Sequence, residues 1–382
     1  MASRRVWMGA ACLFIAGDGM AMQARGPLLA SFEAEFGASQ SLLGLVAPAG
    51  TVGFVVSILA VGLFASRLDV KRTLLVGAVA TAASLALLAA APVYWVFLGA
   101  LLVQGASAGV FRAIDRPLLS HLYPDTLGRV FVLYALAWAV GAVTGPIVVS
   151  AVLELTGWRW TFLLLALWFV PVAVVVAASS LPTTAWDERT IDRRELRALC
   201  RRPSIAGTLV AMALVGGIEG AIFTWLPYYV GTFTDPTLAN LTLSAYLLAY
   251  VPGRLLYSRV VGRVAYVPLA IATTVFATPV LALVFYAPGG VPMLASILLA
   301  GALLSALFPV LSAFGVEAAP EYSGPVSALA TGATYLGIAV APVAIGVLAE
   351  RIGIAAAMSG VVLTLCGLLV ATLVSVRRLT TA

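Results

Sequence analysis

Long apolar stretches alternate with short polar connections along almost the entire chain. Each stretch holds about 20 residues or more, which is enough for one α-helix to cross the hydrocarbon core of a bilayer. The pattern therefore predicts twelve membrane-spanning helices, called predicted helices 1 to 12 below. Their approximate bounds are 6–30, 39–65, 73–92, 94–116, 129–153, 159–180, 204–230, 238–258, 264–286, 291–316, 325–349 and 352–376.

The composition agrees with a multi-pass membrane protein. Hydrophobic residues make up 62% of the chain and charged residues only 10%, whereas soluble domains carry about 25% charged residues. The net charge of +6 comes from basic residues in short connections, so nucleic acid is not an expected partner. The first apolar run is too long for a cleavable signal peptide, and Asp18 and Arg25 interrupt it.

Residue groupings typical of enzymes and ATP-driven pumps are missing from the sequence. Cys12, Cys200 and Cys366 lie in or beside different apolar segments, without the spacing of a disulfide framework or a zinc site. The phosphate-binding pattern Gly-x-x-x-x-Gly-Lys does not occur. We therefore expect no catalysis, no cofactor and no metal.

Basic residues are distributed very unequally between the two sides of the predicted membrane. One side carries both termini and the connections after predicted helices 2, 4, 6, 8 and 10. It collects Arg4, Arg5, Arg67, Lys71, Arg72, Arg112, Arg116, Arg129, six arginines in 189–202, Arg254, Arg259, Arg263, Arg377 and Arg378, and the other side has only Arg159 and Arg351. Because basic loops stay in the cytoplasm, we expect a protein of the cell membrane with both termini cytoplasmic.

The longest connection, residues 181–203, divides the chain into six helices plus six. Its core DERTIDRRELRAL predicts an amphipathic cytoplasmic helix, with Ile191, Leu196 and Leu199 as a weak apolar stripe. We interpret the segment as a linker between two bundles, residues 1–180 and 204–382.

The two halves also resemble each other. A shift of 196 positions aligns residues 124–157 with 320–353 and superimposes prolines, glycines and a glutamate, including Gly141 on Gly337 and Pro146 on Pro342. The chain is therefore predicted to be two six-helix repeats of the same orientation, related by an axis along the membrane normal.

Several short motifs are similar to those of the major facilitator superfamily. GLFASRLDVKR (62–72) resembles the loop signature after the second helix of that family, although Ser66 and Asp69 stand where the family has Asp and Gly. QGASAG (104–109), GAVTGP (141–146) and GWRWTF (157–162) resemble its motifs in the fourth, fifth and sixth helices. ARGPLLASFEAEFG (24–37) and GGIEGAIFTWLPYY (216–229) are similar to the fucose and glucose permease branch.

This resemblance implies an all-α membrane fold. Twelve transmembrane helices would form two six-helix bundles related by a pseudo-twofold axis along the membrane normal. It also implies that predicted helices 1, 4, 7 and 10 line the path of a transported solute.

Two acidic residues stand near the middle of predicted helices 1 and 7. Asp18 and Glu219 are each followed by glycine and, eight or nine residues later, by Pro27 or Pro227. A carboxylate at the centre of a bilayer costs several kcal/mol unless it faces water or a partner. We expect both to face a central cavity, with Glu219 as the better proton carrier and Asp18 as a second one, the alternative for each being a buried hydrogen bond between helices.

Other residues are candidates for contact with a solute or for gating. Possible solute contacts are Gln23, Arg25, Gln104, Arg112, Trp138, Trp225, Tyr228 and Tyr335. Arg25 could instead extend to the outer interface. For each aromatic residue, packing against lipid or in the core is favoured over contact with the solute. A cytoplasmic gate or latch is predicted from Arg67, Asp69, Arg72, Asp115, Arg116 and Arg263, with Arg112 weighed between this latch and an anionic solute.

Together these features predict a secondary active transporter, coupled to protons, in which residues 1–180 rock against 204–382. Its expected partners are a small organic solute, protons and the lipid bilayer, and it is expected to be a monomer. One Asn and three Gln in the whole chain offer few groups for the hydroxyls of a sugar. Uptake of sugars or organic anions, efflux of lipophilic drugs, and a sensor that does not transport therefore stay open.

Overall fold

The computed structural model describes residues 2–64, 68–180, 193–261, 263–286 and 289–381. Nearly all of them belong to α-helices. The helices are α1 Ala2–Gln23, α2 Leu29–Phe36, α3 Gln40–Leu43, α4 Val46–Phe64, α5 Val70–Ala89, α6 Tyr94–Leu122, α7 Leu127–Leu155, α8 Trp158–Ala178, α9 Arg193–Cys200, α10 Pro203–Gly231, α11 Pro236–Leu248, α12 Tyr250–Val260, α13 Tyr266–Tyr286, α14 Gly290–Leu304, α15 Leu307–Glu317, α16 Ser323–Ile352 and α17 Ile354–Thr381.

Eleven helical stretches in the described part of the chain are long and apolar enough to cross a membrane. The twelfth, predicted helix 8, is divided at Ala249 into α11 and α12, each too short to span by itself. Predicted helix 1 is α1 followed by a 3-10 turn at Gly26–Leu28 and by α2, because Pro27 lies in that turn. Predicted helix 10 is likewise divided into α14 and α15. The all-helical membrane architecture is confirmed, with irregular joints that a hydropathy pattern does not show.

The chain divides into two compact units. Unit 1 consists of the described residues of Met1–Ala38 and Leu45–Glu188. Unit 2 consists of those of Ser39–Gly44 and Arg189–Ala382. The short helix α3 therefore belongs to unit 2, although the residues on both sides of it in the sequence belong to unit 1.

Each unit has an aromatic and aliphatic interior and an apolar exterior. In unit 1 the rings of Phe14 and Phe111 stack with centroids 3.7 Å apart, and Phe169 meets Phe14 edge to face. Large apolar side chains such as Leu59 and Leu167 are more than 60% exposed on the outside. Exposed apolar area of this kind is unfavourable in water but not in hydrocarbon, so these faces suit lipid.

Glycines allow the helices of each unit to approach closely. In unit 1 a Cβ atom on Gly105 of α6 would overlap the carbonyl oxygen of Gly50 in α4, and one on Gly141 of α7 would overlap that of Ala16 in α1. Small residues at crossing points let helix backbones pack where lipid offers no hydrophobic driving force.

Unit 2 repeats these contacts with other residues. A Cβ on Gly301 of α14 would overlap the carbonyl oxygen of Tyr246 in α11, and one on Gly337 of α16 would overlap that of Ala213 in α10. Gly301 and Gly337 follow Gly105 and Gly141 by 196 positions. The shift found in the sequence thus aligns residues that hold the same kind of helix crossing in each unit.

The linker helix α9 is attached to unit 2 through Leu199. This residue is buried with Ile205, Ala319 and Val326, as its place in the predicted apolar stripe requires. Arg202 then forms an ion pair with Glu321, with 2.9 Å between Nη1 and Oε1. Ile191 lies outside the described residues, so the prediction for it stays open.

We expect Gly141→Ala to destabilise the protein, because the added methyl group would overlap the Ala16 carbonyl, and overpacking of this kind costs about 1–3 kcal/mol. Thermal unfolding of purified protein measures the effect. Gly360→Ala is the matched control, since a Cβ at Gly360 in α17 meets no atom within 4 Å. Equal melting temperatures for the two variants would contradict the role given to Gly141.

Candidate functional site

The first candidate site lies inside unit 1 and is centred on the guanidinium of Arg112 in α6. Its Nη1 atom lies 2.7 Å from Oδ2 of Asp18 in α1, and its Nε atom lies 3.7 Å from Oδ2 of Asp115. The side chains of Arg112 and Asp18 are only 10% and 15% exposed. Two acidic groups therefore share one cation in a mostly buried place.

Aromatic residues complete the surroundings of this cation. The ring centroids of Phe54 in α4 and Tyr134 in α7 each lie 5.8 Å from the Arg112 guanidinium carbon. The Tyr134 hydroxyl donates a short hydrogen bond to Asp115, and Arg116 lies 5.6 Å from the same ring. Four helices of unit 1 thus meet around one guanidinium, where cation–π contact supports the buried charge.

This geometry corrects the prediction for Asp115, whereas the latch role predicted for Arg116 stays a prediction. Both were expected to form a latch against the connection after predicted helix 2. Asp115 is instead 1% exposed and faces Tyr134 of α7. Arg112 forms an ion pair with Asp18, and its predicted contact with the latch or with an anionic solute stays a prediction. Helix periodicity places such residues on a face but does not identify the neighbouring helix.

The remaining latch residues are apart from this cluster. The Asp69 carboxylate accepts a hydrogen bond of 2.7 Å from the backbone N–H of Arg72, and so caps the start of α5. The side chains of Arg72 and Arg263 are exposed. Arg67 lies outside the described residues, so its predicted role stays untested.

A second cluster of unit 1 joins Arg25 to Gln104. Arg25 Nη2 donates a hydrogen bond of 2.5 Å to Oε1 of Gln104, which is buried in α6. The guanidinium occupies the place that a Cβ on Gly50 would need. Arg25 therefore turns toward α4 and α6 rather than extending to the outer interface. Arg25 and Gln104, both predicted as possible solute contacts, are therefore neighbours. The absence of a side chain at Gly50 leaves space for the Arg25 guanidinium.

Gln23 lies near the end of α1 and is fully buried. Neither polar atom of its side chain has a hydrogen-bond partner among the described residues. A buried amide in this state is costly, but the surrounding geometry assigns it no solute.

The candidate site of unit 2 is centred on Glu219 in α10. Its Oε1 atom accepts a hydrogen bond of 3.0 Å from the hydroxyl of Tyr250 in α12, and that hydroxyl lies 3.4 Å from the one of Tyr246. Within the described ranges, no basic side chain comes within ion-pair distance of Glu219. The Glu219 carboxylate therefore contacts a tyrosine hydroxyl, with a second hydroxyl behind it, rather than a cation.

Arg254 lies next to Tyr250. Its guanidinium carbon lies 5.2 Å from the Tyr250 ring centroid, and its Nε donates to the Ser305 carbonyl oxygen at 3.3 Å. The sequence analysis counted Arg254 only among the basic residues of the cytoplasmic side. It did not identify Tyr134 and Tyr250 as residues of the candidate sites. A tyrosine in an apolar segment carries no signal of its function until the facing helix is known.

The aromatic candidates have mainly structural contacts. Trp225 is fully buried, and its indole N–H donates to the Pro342 carbonyl oxygen at 3.0 Å. Trp138 packs against a buried cluster that includes Ile15 and Tyr134. The Tyr228 hydroxyl accepts a hydrogen bond from Gln40. Tyr335 is half-buried in α16.

Similarity to known proteins agrees with this architecture. The family model of the Major Facilitator Superfamily matches residues 10–234, which is more than half of the chain. A glucose/galactose transporter of Brucella abortus biovar 1 (strain 9-941) is 28% identical over 321 residues, which cover 78% of this chain and 76% of that protein. The predicted likeness to the fucose and glucose permease branch gains modest support from this relative.

Solved structures show the same fold at low sequence identity. The nucleoside transporter NupG is 13% identical with a TM-score of 0.79, and the similarity covers 100% of both chains. A D-xylose-proton symporter is 14% identical with a TM-score of 0.78, over 97% of each chain. A bacterial homologue of the human lysosomal transporter Spinster is 13% identical with a TM-score of 0.78, over 98% of this chain and 95% of the other.

The sequence resemblance, the twelve-helix membrane fold and the prediction that the chain is not an enzyme are confirmed by these relatives, which are transporters. The chain is a multi-pass membrane transporter and belongs to the Major Facilitator Superfamily.

Proposed function

We propose that this protein is a proton-coupled secondary transporter that moves a small organic solute by alternating access. The ion pair between Asp18 and Arg112 carries the proposal. It joins a carboxylate of the apolar helix α1 to a cation that already has a second acidic neighbour.

Protonation of Asp18 would remove the charge that holds Arg112 Nη1. Asp115 lies 3.7 Å from Arg112 Nε and would then be its remaining carboxylate partner. The guanidinium would shift toward α7, where Asp115 already contacts Tyr134. A proton on α1 would thereby change contacts among α1, α6 and α7. If the proton binds one conformation more favourably than the other by a few kcal/mol, the populations of the two conformations shift.

Glu219 is proposed as the proton site of unit 2. The Tyr250 hydroxyl can donate to the carboxylate and can accept from the carboxylic acid, so Glu219 keeps a hydrogen bond in both protonation states. The two acids differ in their partners, since Asp18 faces a cation and Glu219 faces hydroxyl groups. We assign the main coupling step to Asp18 and a supporting step to Glu219.

A neutral hydroxylated solute is the proposed cargo. Asp18 offsets the charge of Arg112. Arg112 is therefore no longer a reason to expect an anionic solute. The relative named a glucose/galactose transporter supports a hexose. The side chains of Gln104 and Arg25, and the tyrosine hydroxyls among the predicted solute contacts, can form hydrogen bonds with a hydroxylated solute. They partly offset the small number of Asn and Gln residues in the chain.

The proposed orientation places both termini in the cytoplasm, and the protein is proposed to act as a monomer in the cell membrane. The support is the excess of basic residues on the side of the termini, where Arg194, Arg197 and Arg377 are exposed.

We expect Asp18→Asn to abolish solute accumulation driven by a pH gradient in proteoliposomes, because an amide cannot release the proton that the cycle requires. Exchange of labelled for unlabelled glucose across the membrane should persist, since it needs no net proton movement. Asp235→Asn is the control: Asp235 is exposed and caps α11, and asparagine caps equally well. Gradient-driven accumulation by Asp18→Asn at the wild-type level would reject the coupling role.

Glu219→Gln should reduce gradient-driven accumulation by about tenfold, while Glu219→Asp should retain part of it. The amide oxygen of Gln can still accept from Tyr250, so the variant should fold. Initial rates of glucose uptake at a fixed pH gradient provide the measurement. If Gln and wild type have the same rates, Glu219 has only a structural role.

Glucose or galactose should raise the melting temperature of the purified protein, because a ligand that binds the folded form stabilises it by mass action. Organic acids, nucleosides and lipophilic cations serve as comparison compounds in the same thermal-shift experiment. A shift with lipophilic cations but none with hexoses would contradict the proposed cargo and favour drug efflux.

A further inference from the structure

Tyr134 of α7 supports the second carboxylate of the Arg112 cluster. Its hydroxyl donates to Oδ2 of Asp115, the same oxygen that faces Arg112 Nε at 3.7 Å. The other carboxylate oxygen, Oδ1, is buried and has no hydrogen-bond partner among the described residues. The contacts that support a negative charge on Asp115 are therefore concentrated on one oxygen.

The charged and titratable groups around Asp115 come from three helices. They are Arg112 and Arg116 in α6, Tyr134 in α7, and Asp18 and Cys12 in α1. α4 also packs against α6 and carries no charged or titratable residue. The other such residues of α5, α6 and α7 form no ion pair or hydrogen bond with Asp115 within the described ranges, among them Lys71, Arg72, His121 and Arg129.

The ring of Tyr134 is fixed by its surroundings. It is 3% exposed and belongs to a buried cluster with Ile15 and Val130. The guanidinium carbons of Arg112 and Arg116 lie 5.8 and 5.6 Å from its centroid. Because the hydroxyl lies on the axis of the ring, packing of the ring holds the oxygen against Asp115.

The internal repeat shows that this hydrogen bond is not part of the shared framework. The residues 196 positions after Asp115 and Tyr134 are Leu311 and Ala330, which are both buried. Unit 2 builds its helix crossings with these two apolar residues in place of the hydrogen-bonded pair. The pair is therefore a feature of unit 1, where it adjoins the ion pair between Asp18 and Arg112.

We infer that Tyr134 is a positioning residue that keeps Asp115 ionised and thereby directs the exchanged proton to Asp18. A hydroxyl that donates to a carboxylate stabilises its ionised form. Ionised Asp115 shares Arg112 with Asp18, so Asp18 binds a proton more readily than it would opposite an unshared guanidinium. The inference rests on the proposed function, because that function assigns the exchanged proton to Asp18.

Protonation of the cluster can be followed without transport. Infrared difference spectra of the purified protein record the C=O stretching band that a buried carboxyl group gains when it binds a proton. The spectra would be recorded in a Glu219→Gln background, so that the acid of α10 does not contribute, and Asp18→Asn identifies the band of Asp18. The quantity compared is the pH at which half of the band has appeared, called the midpoint below.

Tyr134→Phe should raise the midpoint by about one pH unit, because the cluster loses a hydrogen bond that stabilises its negative charge. This variant keeps the ring beside both arginines. Asp115→Asn should lower the midpoint by about one pH unit, because Arg112 then serves Asp18 alone. Tyr286→Phe is the control for loss of a hydroxyl at an exposed position, and its midpoint should equal that of the background protein.

The double variant Tyr134→Phe/Asp115→Asn separates positioning from a general structural effect. It should have the midpoint of Asp115→Asn alone, since Tyr134 is inferred to act through Asp115. An upward shift by Tyr134→Phe that persists in the double variant would overturn the inference. So would a midpoint that Tyr134→Phe leaves unchanged or lowers, or one that Asp115→Asn leaves unchanged or raises.

These spectra also separate the inference from the proposed function. If no form of the protein moves glucose, the proposed cargo fails while the midpoints still decide the role of Tyr134. If Asp18→Asn removes the band but Tyr134→Phe does not shift it, the proton site at Asp18 stands and the inference is overturned. A band that persists in Asp18→Asn would overturn both.

Discussion

The cost of charge in a hydrocarbon interior is the constraint on which the organisation of both units depends. A charged side chain at the bilayer centre must have a partner, water or a changed protonation state. Unit 1 meets this requirement with a guanidinium that contacts Asp18 and Asp115 and lies between the rings of Phe54 and Tyr134. Unit 2 meets it with the hydroxyl of Tyr250 on Glu219, supported by Arg254.

Close helix packing makes these partnerships possible. Gly19 and Gly141 hold α1 against α7, and Gly50 both receives α6 and leaves room for Arg25. Without these glycines the helices would stand farther apart, and the charged groups would lose the short distances that compensate them. The same crossings recur in unit 2 through Gly301 and Gly337, whereas the charged residues do not recur: the residue 196 positions after Arg112 is Phe308. The repeat therefore preserves the backbone framework, and the chemistry differs between the units.

Much of the fold and part of the candidate site could be predicted from the sequence. Hydropathy predicted the eleven stretches of the described chain that are long and apolar enough to cross a membrane, and the internal repeat selected Gly141 and Gly337, both of which stand at helix crossings. Asp18 and Glu219 stood out because acidic residues are rare in apolar segments. The partner of Asp18 could not be predicted, because Arg112 lies 94 residues away and the rotation of α6 about its axis is set by tertiary packing. For the same reason Asp115 was assigned to a loop latch, although it faces Tyr134. The division of predicted helix 8 was also missed, since an interruption of one residue leaves the hydropathy of the segment unchanged.

A double-mutant cycle measures whether Asp18 and Arg112 stabilise each other within unit 1. Melting temperatures and unfolding free energies would be measured for the wild type, Asp18→Asn, Arg112→Gln and the double variant. We expect each single variant to lose stability and the double variant to lose less than their sum, with a coupling energy of about 1–3 kcal/mol. Additive losses, with a coupling energy near zero, would contradict the ion pair as the organising interaction of the site.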